Sequence, residues 1–400
     1  MSRELDLVLF GATGTTGRLV AEHLARARPS LRWAIAGRDA RALAATRETL
    51  SAIDPALRAL PLVVADARDA DAMGALARRT RVACTTVGPY AQRGLALVAA
   101  CAAEGTHYCD VTGETPFVRA SIDAFDERAR ASGARIVHCC GFDSIPSDLG
   151  TWLLHEHLTS IGDRLVSARL RVVRLRGAIS AGTLATMIAL FAAAADPRVR
   201  ALLEDPYALD PRGGPAGPAL RDQRGPRLDD DTGRWTAPFV MAPINTRVVR
   251  RTSALLGRAF HYDEALETGD GPIGLARAIA VSSALATLYG AALVPASRAL
   301  LESLLPAFDD PDDGRRGGAF RIEIRADGAA GAVARAVIEG ERDPGYEETA
   351  VMLGESALCL AGDELSSPGG VTTPAVAMGS ALARRLRGAG MRLSIQTPAR

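Results

Sequence analysis

Three glycines, Gly11, Gly14 and Gly17, stand at intervals of three residues near the start of the chain. An apolar run precedes them and an apolar-periodic segment follows them, so the pattern predicts a strand, a tight turn and a helix. In such a turn the first glycine permits the bend, the second lets the backbone approach a phosphate, and the third lets the helix pack against the strand. We expect the pyrophosphate of a dinucleotide to bind this turn, at Gly11, Thr13, Gly14, Thr15, Thr16 and Gly17.

The end of the second predicted strand, residues 31–36, indicates which dinucleotide binds. Arg38 follows this strand. An acidic side chain in this place would bind the ribose 2′-hydroxyl of NAD, whereas arginine accommodates the 2′-phosphate of NADP. The sequence therefore predicts NADP(H). Asp39 is better interpreted as the N-cap of the next helix than as a ribose ligand.

Two further strand ends supply candidate cofactor contacts. The fourth predicted strand ends at Val87, Gly88 and Pro89, where the glycine permits close approach of the dinucleotide. Asp66 ends the third strand. It could face the adenine or cap the helix that follows, and the sequence leaves both interpretations open.

The loops after the fifth and sixth strands, residues 110–114 and 141–144, are expected to border the nicotinamide. Their chemistry needs a group that delivers a proton, and a phenol or an acid is suited to this. The candidate catalytic residues are Tyr90, Asp143 and Ser144. Asp143 or Ser144 could instead cap the next helix, and His138 lies in an apolar strand, where a hydrogen-bonded core histidine is expected.

The elements that must position these residues alternate between strand and helix. Predicted strands cover 5–10, 31–36, 61–65, 82–87, 106–110 and 135–140. One intervening helix has Thr115 as its predicted cap, Pro116 in its first position and Gly133 at its end. Such alternation predicts an α/β fold, a Rossmann-type doubly wound parallel sheet over residues 1–146.

The alternation stops after about residue 146, which predicts a second, α+β domain over residues 147–369. Within it, residues 165–175 and a hairpin of 320–325 and 332–338 suit antiparallel strands. Residues 181–195 predict an apolar helix, and residues 205–235 predict a long loop. We expect a C-terminal helix within residues 370–400 to return to the first domain.

Composition excludes several classes of function. The net charge of +1 argues against nucleic-acid binding. All basic residues other than histidine are arginines, and the lack of lysine excludes a Schiff-base mechanism. The six cysteines include no C-x-x-C pair, so no metal site is expected. Because no signal peptide precedes the first strand, we expect the protein in a reducing cytoplasm.

Two segments allow more than one interpretation. Residues 278–296 carry no charge and could form a buried helix pair, a peripheral membrane contact or a membrane span. A run of arginines, Arg247, Arg250, Arg251 and Arg258, could form a solvated face or a docking patch for an acidic acyl carrier protein.

Several long motifs resemble those of the saccharopine dehydrogenase-like oxidoreductases, in particular the bacterial trans-acting enoyl reductase branch. The motifs are Gly11-Ala-Thr-Gly-Thr-Thr-Gly17, Trp33-Ala-Ile-Ala-Gly-Arg38, Thr85-Thr-Val-Gly-Pro-Tyr90, His107-Tyr-Cys-Asp-Val-Thr-Gly-Glu114, His138-Cys-Cys-Gly-Phe-Asp-Ser-Ile-Pro-Ser-Asp148, Ile244-Asn-Thr-Arg-Val-Val-Arg250 and Asp343-Pro-Gly-Tyr346.

The resemblance implies an NADP-binding domain, a second domain that shapes the substrate site, and reduction of a lipid or polyketide intermediate. The expected substrate is an α,β-unsaturated acyl thioester, carried on the acyl carrier protein of a polyketide synthase. Association with the inner membrane and a homodimer are further expectations. Two alternatives stay open: reduction of an imine or ketone, and a catalytically silent NADP-binding scaffold at the membrane.

Overall fold

The computed structural model describes residues 3–27, 29–177, 181–212, 221–305 and 317–397. The chain divides into two compact units. The first comprises residues 1–145 and 346–389, and the second comprises residues 146–345 and 390–400.

The elements are numbered along the chain. The strands are β1 (Leu5–Phe10), β2 (Trp33–Gly37), β3 (Leu62–Val64), β4 (Thr80–Thr85), β5 (His107–Asp110), β6 (Arg135–Val137), β7 (Leu165–Arg176), β8 (Arg227–Leu228), β9 (Trp235–Pro238), β10 (His261–Gly269), β11 (Ala319–Gly328), β12 (Val333–Gly340), β13 (Gly370–Thr372) and β14 (Arg392–Gln396). The helices are α1 (Thr15–Ala27), α2 (Ala40–Ile53), α3 (Ala70–Arg79), α4 (Tyr90–Arg93), α5 (Leu95–Glu104), α6 (Thr115–Ser132), α7 (Ile145–Ser160), α8 (Ala181–Ala193), α9 (Pro197–Glu204), α10 (Ala242–Leu255), α11 (Gly271–Leu293), α12 (Pro295–Leu304), α13 (Thr349–Gly362) and α14 (Pro374–Gly388).

The first unit contains a seven-stranded parallel sheet in the order β13-β6-β5-β4-β1-β2-β3. Its central strands are apolar and buried, as strands covered by helices on both faces must be. The chain runs outward from β1 through β2 to β3, and then from β4 through β5 to β6 on the other side. This arrangement is the predicted doubly wound α/β fold, which the structure confirms.

The strand predictions agree closely with the sheet, with one informative exception. The strand predicted over 135–140 ends at Val137. Cys139 then adopts a positive φ of 64°, a conformation incompatible with an extended strand. The chain therefore leaves the sheet early and forms a loop before α7.

Helix caps in the first unit follow the predictions in part. Asp39 is the N-cap of α2 and accepts hydrogen bonds from the backbone N–H groups of Arg41 and Ala42, as predicted. Gly133, at φ 78°, ends α6 as predicted. The predicted cap Thr115 is wrong, because Thr115 is the first helical residue and Glu114 occupies the N-cap position.

The first unit takes up more of the C-terminal sequence than the predicted boundary at residue 370 allows. It resumes at Tyr346, so α13 belongs to it. This helix is mostly apolar and almost every residue in it is buried. Gly354 packs against the ring of His23 in α1, and Glu355 Oε1 lies 2.9 Å from His23 Nε2. Of the predicted C-terminal segment, α14 lies in the first unit, but β14 pairs with β12 in the second.

The second unit contains a seven-stranded mixed sheet in the order β14-β12-β11-β7-β10-β9-β8. The predicted hairpin is present as β11 and β12, which pair antiparallel. The strand predicted over 165–175, β7, pairs antiparallel with β11 as expected, but on its other side it pairs in parallel with β10. The loop predicted over 205–235 contains β8, and its residues 213–220 lie outside the described residues.

The uncharged segment predicted over 278–296 forms most of α11 and the start of α12. Within the described chain, α11 is the one helix long and apolar enough to cross a membrane by length and composition. Only 17% of the most apolar 18-residue stretch of α11 is buried. The interpretation of this segment as a buried helix pair is therefore wrong. Ile273, Ile279 and Val294 are at least half exposed. One side of α11 packs against α8, where the rings of Tyr289 and Phe191 meet edge to face at 5.1 Å.

The arginines predicted to form a solvated face or a docking patch are mostly internal. Arg247, Arg250 and Arg251 on α10 are buried. They donate hydrogen bonds to backbone carbonyls of the segment 203–209 and, in the case of Arg250, of Tyr262. These three residues therefore form neither a solvated face nor a docking patch. They are buried because the carbonyl groups of the segment 203–209 require hydrogen-bond donors. Arg258 is partly exposed and lies 3.7 Å from Glu156.

Candidate cofactor-binding and catalytic site

The candidate site lies at the carboxyl edge of the parallel sheet, where β1 and β4 are neighbours. Because the chain winds away from this pair in opposite directions, their ends form the topological switch point at which doubly wound sheets bind ligands. The two loops are tied together here. Thr86 Oγ1, just after β4, donates a hydrogen bond of 3.2 Å to the carbonyl oxygen of Gly11, just after β1.

The glycine turn after β1 fits the pyrophosphate of a dinucleotide. Gly11 has a φ of 95°, and a Cβ there would lie 2.8 Å from Thr86 Oγ1. A Cβ on Gly17 would lie 2.1 Å from the carbonyl oxygen of Gly11, so α1 can pack this closely only because residue 17 is a glycine. Gly14 is exposed, and the first turn of α1 contains no acidic residue, so its positive end is available to an anion.

The remaining predicted pyrophosphate contacts surround the same turn. Thr13, Thr15 and Thr16 are half-buried, and α1 begins at Thr15. Across the switch point, Val87 and Gly88 are half-buried and Pro89 is exposed. The structure thus brings the two predicted groups of cofactor contacts to one edge of the sheet. Their roles as individual ligands stay predictions.

The ends of β2 and β3 place Arg38 near the ion pair of Asp66 and Arg68. Arg38 is exposed immediately after β2. Asp66 follows β3 and pairs with Arg68 at 2.9 Å. The hydrogen bond from Arg68 is the main reason that the pKa of Asp66 is lowered to about 2, and the charge of Arg38 lowers it further. The interpretation of Asp66 as a helix cap is wrong, because Asp69 caps α3.

Asp143 has the properties of a general acid. It lies in the loop between β6 and α7 and is half-buried. Within the described part of the chain, its carboxyl group has no hydrogen-bond or ion-pair partner. Burial alone raises the pKa of Asp143 to about 6, because a carboxylate loses hydration there. The group therefore holds a proton to a higher pH than an ordinary aspartate does.

The other two predicted catalytic residues are more enclosed. The Tyr90 hydroxyl donates to the carbonyl oxygen of Thr85 at 3.2 Å and accepts from the backbone N–H of Val111 at 3.4 Å. Burial raises the pKa of this phenol well above its usual value. Ser144 is fully buried and its side chain hydrogen-bonds the thiol of Cys139. Catalytic roles for Tyr90 and Ser144 stay predictions.

The sequence placed Asp110, at the end of β5, in a loop expected to border the nicotinamide, but did not indicate which groups it binds. Its side chain is fully buried and accepts four hydrogen bonds, from the Tyr108 hydroxyl, His138 Nδ1 and the backbone N–H groups of Thr112 and Cys139. As predicted, His138 is a hydrogen-bonded core residue. The one hint in the sequence was that an acidic residue, Asp110, ends a strand expected to be buried.

The histidines and cysteines near the site offer no metal-binding cluster in the part of the chain that the structure describes. No group of three or more His, Cys, Asp or Glu side chains suited to a metal ion occurs in the described ranges. All six cysteines are buried free thiols. Burial lowers the pKa of His107 to about 4, and its Nδ1 accepts the backbone N–H of Arg135 at 3.1 Å.

Comparison with known proteins places this site in a family. Residues 7–137 match the saccharopine dehydrogenase NADP-binding domain. A Mycobacterium tuberculosis protein provisionally named a trans-acting enoyl reductase is 43% identical, covering 99% of this chain and 98% of its own length. The trans-acting enoyl reductase of Mycobacterium bovis is 40% identical, with 97% of each chain covered. This chain belongs to the trans-acting enoyl reductase family.

A solved structure extends the agreement to the fold of the whole chain. Apo saccharopine dehydrogenase (L-Glu forming) from Saccharomyces cerevisiae aligns with a TM-score of 0.58, covering 98% of this chain and 99% of its own, at 11% identity. At that identity the likeness concerns the fold alone. The family relationship confirms the resemblance drawn from the motifs, and with it an NADP-dependent oxidoreductase. The predicted cofactor, NADP(H), is confirmed as well.

Proposed function

We propose that this family member reduces the carbon–carbon double bond of an α,β-unsaturated acyl thioester, acting in trans on a substrate carried by a polyketide synthase. The observation that carries the proposal is the half-buried carboxyl of Asp143 in the loop after β6, which has no hydrogen-bond or ion-pair partner among the described residues and whose pKa burial raises to about 6. It is supported by relatives named trans-acting enoyl reductases that match over nearly the full length.

The residues divide the work between cofactor binding and proton delivery. The turn at Gly11, Gly14 and Gly17 would hold the pyrophosphate, and Arg38 would hold the 2′-phosphate. When bound there, NADPH would supply the hydride that the β-carbon of the substrate requires. The α-carbon then requires a proton, and the carboxyl of Asp143, protonated below about pH 6, donates it.

The test is NADPH oxidation with crotonyl-pantetheine as the substrate. We expect kcat to fall as the pH rises past about 6, because Asp143 then loses the proton it donates. Asp143→Asn should lower kcat by roughly 100-fold and flatten the pH profile, while the Kd for NADPH stays unchanged. Asp71→Asn, an exposed aspartate in α3, is the matched control. Full activity of Asp143→Asn would contradict the role of Asp143.

The same assay separates the alternative functions. Turnover of imino acids or ketones without turnover of enoyl thioesters would replace the proposal with the imine or ketone reductase. Tight NADPH binding without turnover of any substrate in the panel would support a silent scaffold.

We further propose that the protein works in the cytoplasm, at the inner face of the plasma membrane, in lipid or polyketide biosynthesis. The support is the exposed apolar side of α11, whose single charged residue is Arg277. Flotation with anionic phospholipid vesicles should carry the protein upward, and Ile279→Asp should abolish this. If the wild-type protein does not float and instead sediments as a dimer, the exposed side serves a homodimer rather than a membrane.

A further inference from the structure

We infer that Asp110 is a positioning residue, which holds the loop of Asp143 in the shape that proton donation requires. The inference rests on the proposed function of Asp143. It starts from the hydrogen bonds around Asp110, all of which lie within the first unit.

Asp110 connects the two loops that follow β5 and β6. Its carboxylate accepts from the backbone N–H of Thr112 at 3.1 Å and from that of Cys139 at 3.0 Å. His138 Nδ1 lies 2.7 Å from the other carboxylate oxygen. The backbone N–H of Cys140 donates to the carbonyl oxygen of Asp110 at 2.7 Å. Three consecutive residues at the start of the Asp143 loop are therefore held by one aspartate.

The held segment contains an unfavourable backbone conformation. Cys139 has a φ of 64°, in the left-handed region of backbone conformation that residues other than glycine rarely adopt. Such a conformation persists only where the surrounding contacts impose it. The hydrogen bond from the Cys139 N–H to Asp110 is one of those contacts. The path of the chain from Cys139 to Asp143 thus depends on the Asp110 carboxylate.

Asp110, His138 and Ser121 lie in the order of a hydrolase triad, but a nucleophilic role is excluded by burial. His138 Nε2 is 2.8 Å from Ser121 Oγ. Neither Ser121 nor Asp110 has any exposed surface, and His138 is 2% exposed. The rings of Phe117 and Tyr108 flank the imidazole at 5.1 and 5.5 Å. Because Ser121 is fully buried, it is not placed to act as a nucleophile.

Asp110→Asn is the decisive variant. Its amide can still accept two N–H groups, but its NH₂ faces His138 and Tyr108, where an acceptor is required. We expect kcat with crotonyl-pantetheine to fall by roughly 30- to 100-fold, with the Kd for NADPH within twofold of wild type. Backbone amides of residues 138–144 should exchange with deuterium at least tenfold faster. Ser121→Ala, which leaves every bond to Asp110 in place, should change neither kcat nor exchange by more than about twofold.

The possible outcomes separate clearly. Wild-type kcat and amide exchange in Asp110→Asn would overturn the inference, and so would an equal loss of activity in Ser121→Ala. If Asp110→Asn no longer binds NADPH, Tyr108→Phe decides, because it removes one donor to Asp110 with little change in volume. A threefold fall in kcat with unchanged NADPH affinity supports the inference, and an unchanged kcat and exchange rate overturns it.

The exchange measurement also keeps this inference separate from the proposed function. If the wild-type protein reduces no enoyl thioester, the proposed function fails. Faster exchange of residues 138–144 in Asp110→Asn would then still show that Asp110 holds the loop.

Discussion

Thr86 donates its hydroxyl to the carbonyl oxygen of Gly11 at 3.2 Å, which joins the two loops on either side of the switch point. The same hydroxyl would lie 2.9 Å from a Cβ on Gly17. One threonine after β4 and two glycines around α1 therefore form a single closely packed unit. The width of the cofactor turn depends on this packing, which leads to the first prediction.

Gly17→Ala should abolish NADPH binding. The new Cβ would lie 2.1 Å from a backbone carbonyl oxygen, so α1 would have to move away from the turn. We expect the Kd for NADPH to rise at least 100-fold in calorimetric titration. Gly388→Ala in α14 is the control, because a Cβ there has no atom within 4 Å, and it should bind NADPH normally. Normal binding by Gly17→Ala would show that the turn does not hold the pyrophosphate.

Arg38→Ala should remove the preference for NADPH over NADH. A guanidinium group binds a phosphate through paired, charge-assisted hydrogen bonds, and its loss costs about 1.5–3 kcal/mol. We expect the Kd for NADPH to rise roughly 10- to 100-fold, while the Kd for NADH changes little. Arg58→Ala, also at an exposed arginine of the first unit, should change neither constant. If Arg38→Ala raised the Kd for NADPH and the Kd for NADH equally, Arg38 would contact a part of the dinucleotide other than the 2′-phosphate.

Glu264→Gln should remove a pH dependence of stability in the second unit. Glu264 is buried and hydrogen-bonded to Asn245 and Tyr262, each at 2.8 Å. Burial is the main cause that raises its pKa from 4.5 to about 7. The folded state therefore binds more protons than the unfolded state between these pH values, so the free energy of unfolding falls as the pH rises through this window.

Urea denaturation at pH 5 and pH 8 measures this effect. Between pH 5 and pH 8 the free energy of unfolding of the wild-type protein should fall by up to about 3 kcal/mol because of Glu264. In Glu264→Gln this fall should be correspondingly smaller. Glu204→Gln, at an exposed ion pair, should follow the wild-type curve. Parallel pH dependence of Glu264→Gln and wild type would place the Glu264 pKa near its ordinary value.

Arg250→Met should destabilise the protein, whereas Arg258→Met should not. Arg250 is 6% exposed and donates to the carbonyl oxygens of Pro206 and Tyr262, which would lose their buried donors. We expect a loss of about 2–3 kcal/mol in the free energy of unfolding for Arg250→Met, and less than about 0.5 kcal/mol for Arg258→Met. Thermal and urea denaturation check both values. Equal stability of the two variants would show that the hydrogen bonds of Arg250 contribute no more to stability than those of a surface arginine.

Local patterns were sufficient for the first unit, because each of its features depends on residues that are neighbours in sequence. Alternating apolar strands and capped helices define a doubly wound sheet, and the turn from Gly11 to Gly17 needs only its own spacing to be recognisable. The predicted roles of Arg38, as a phosphate ligand, and of Asp39, as a helix cap, follow from their positions directly after β2. Asp143 could be placed at a strand end for the same reason.

The tertiary structure decided every feature that depends on partners distant in sequence. The arginines of α10 looked like surface charges until the carbonyl groups of 203–209, some 40 residues away, were seen to lie against them. That no described residue pairs with Asp143, and that four donors surround Asp110, are likewise properties of packing. Burial and hydrogen bonding across the chain set the proton affinity of a carboxyl group, and no spacing along the sequence encodes them. The sequence by itself thus determined the cofactor fold, and only the packed structure determined which acidic residue holds a proton and which one holds the loop.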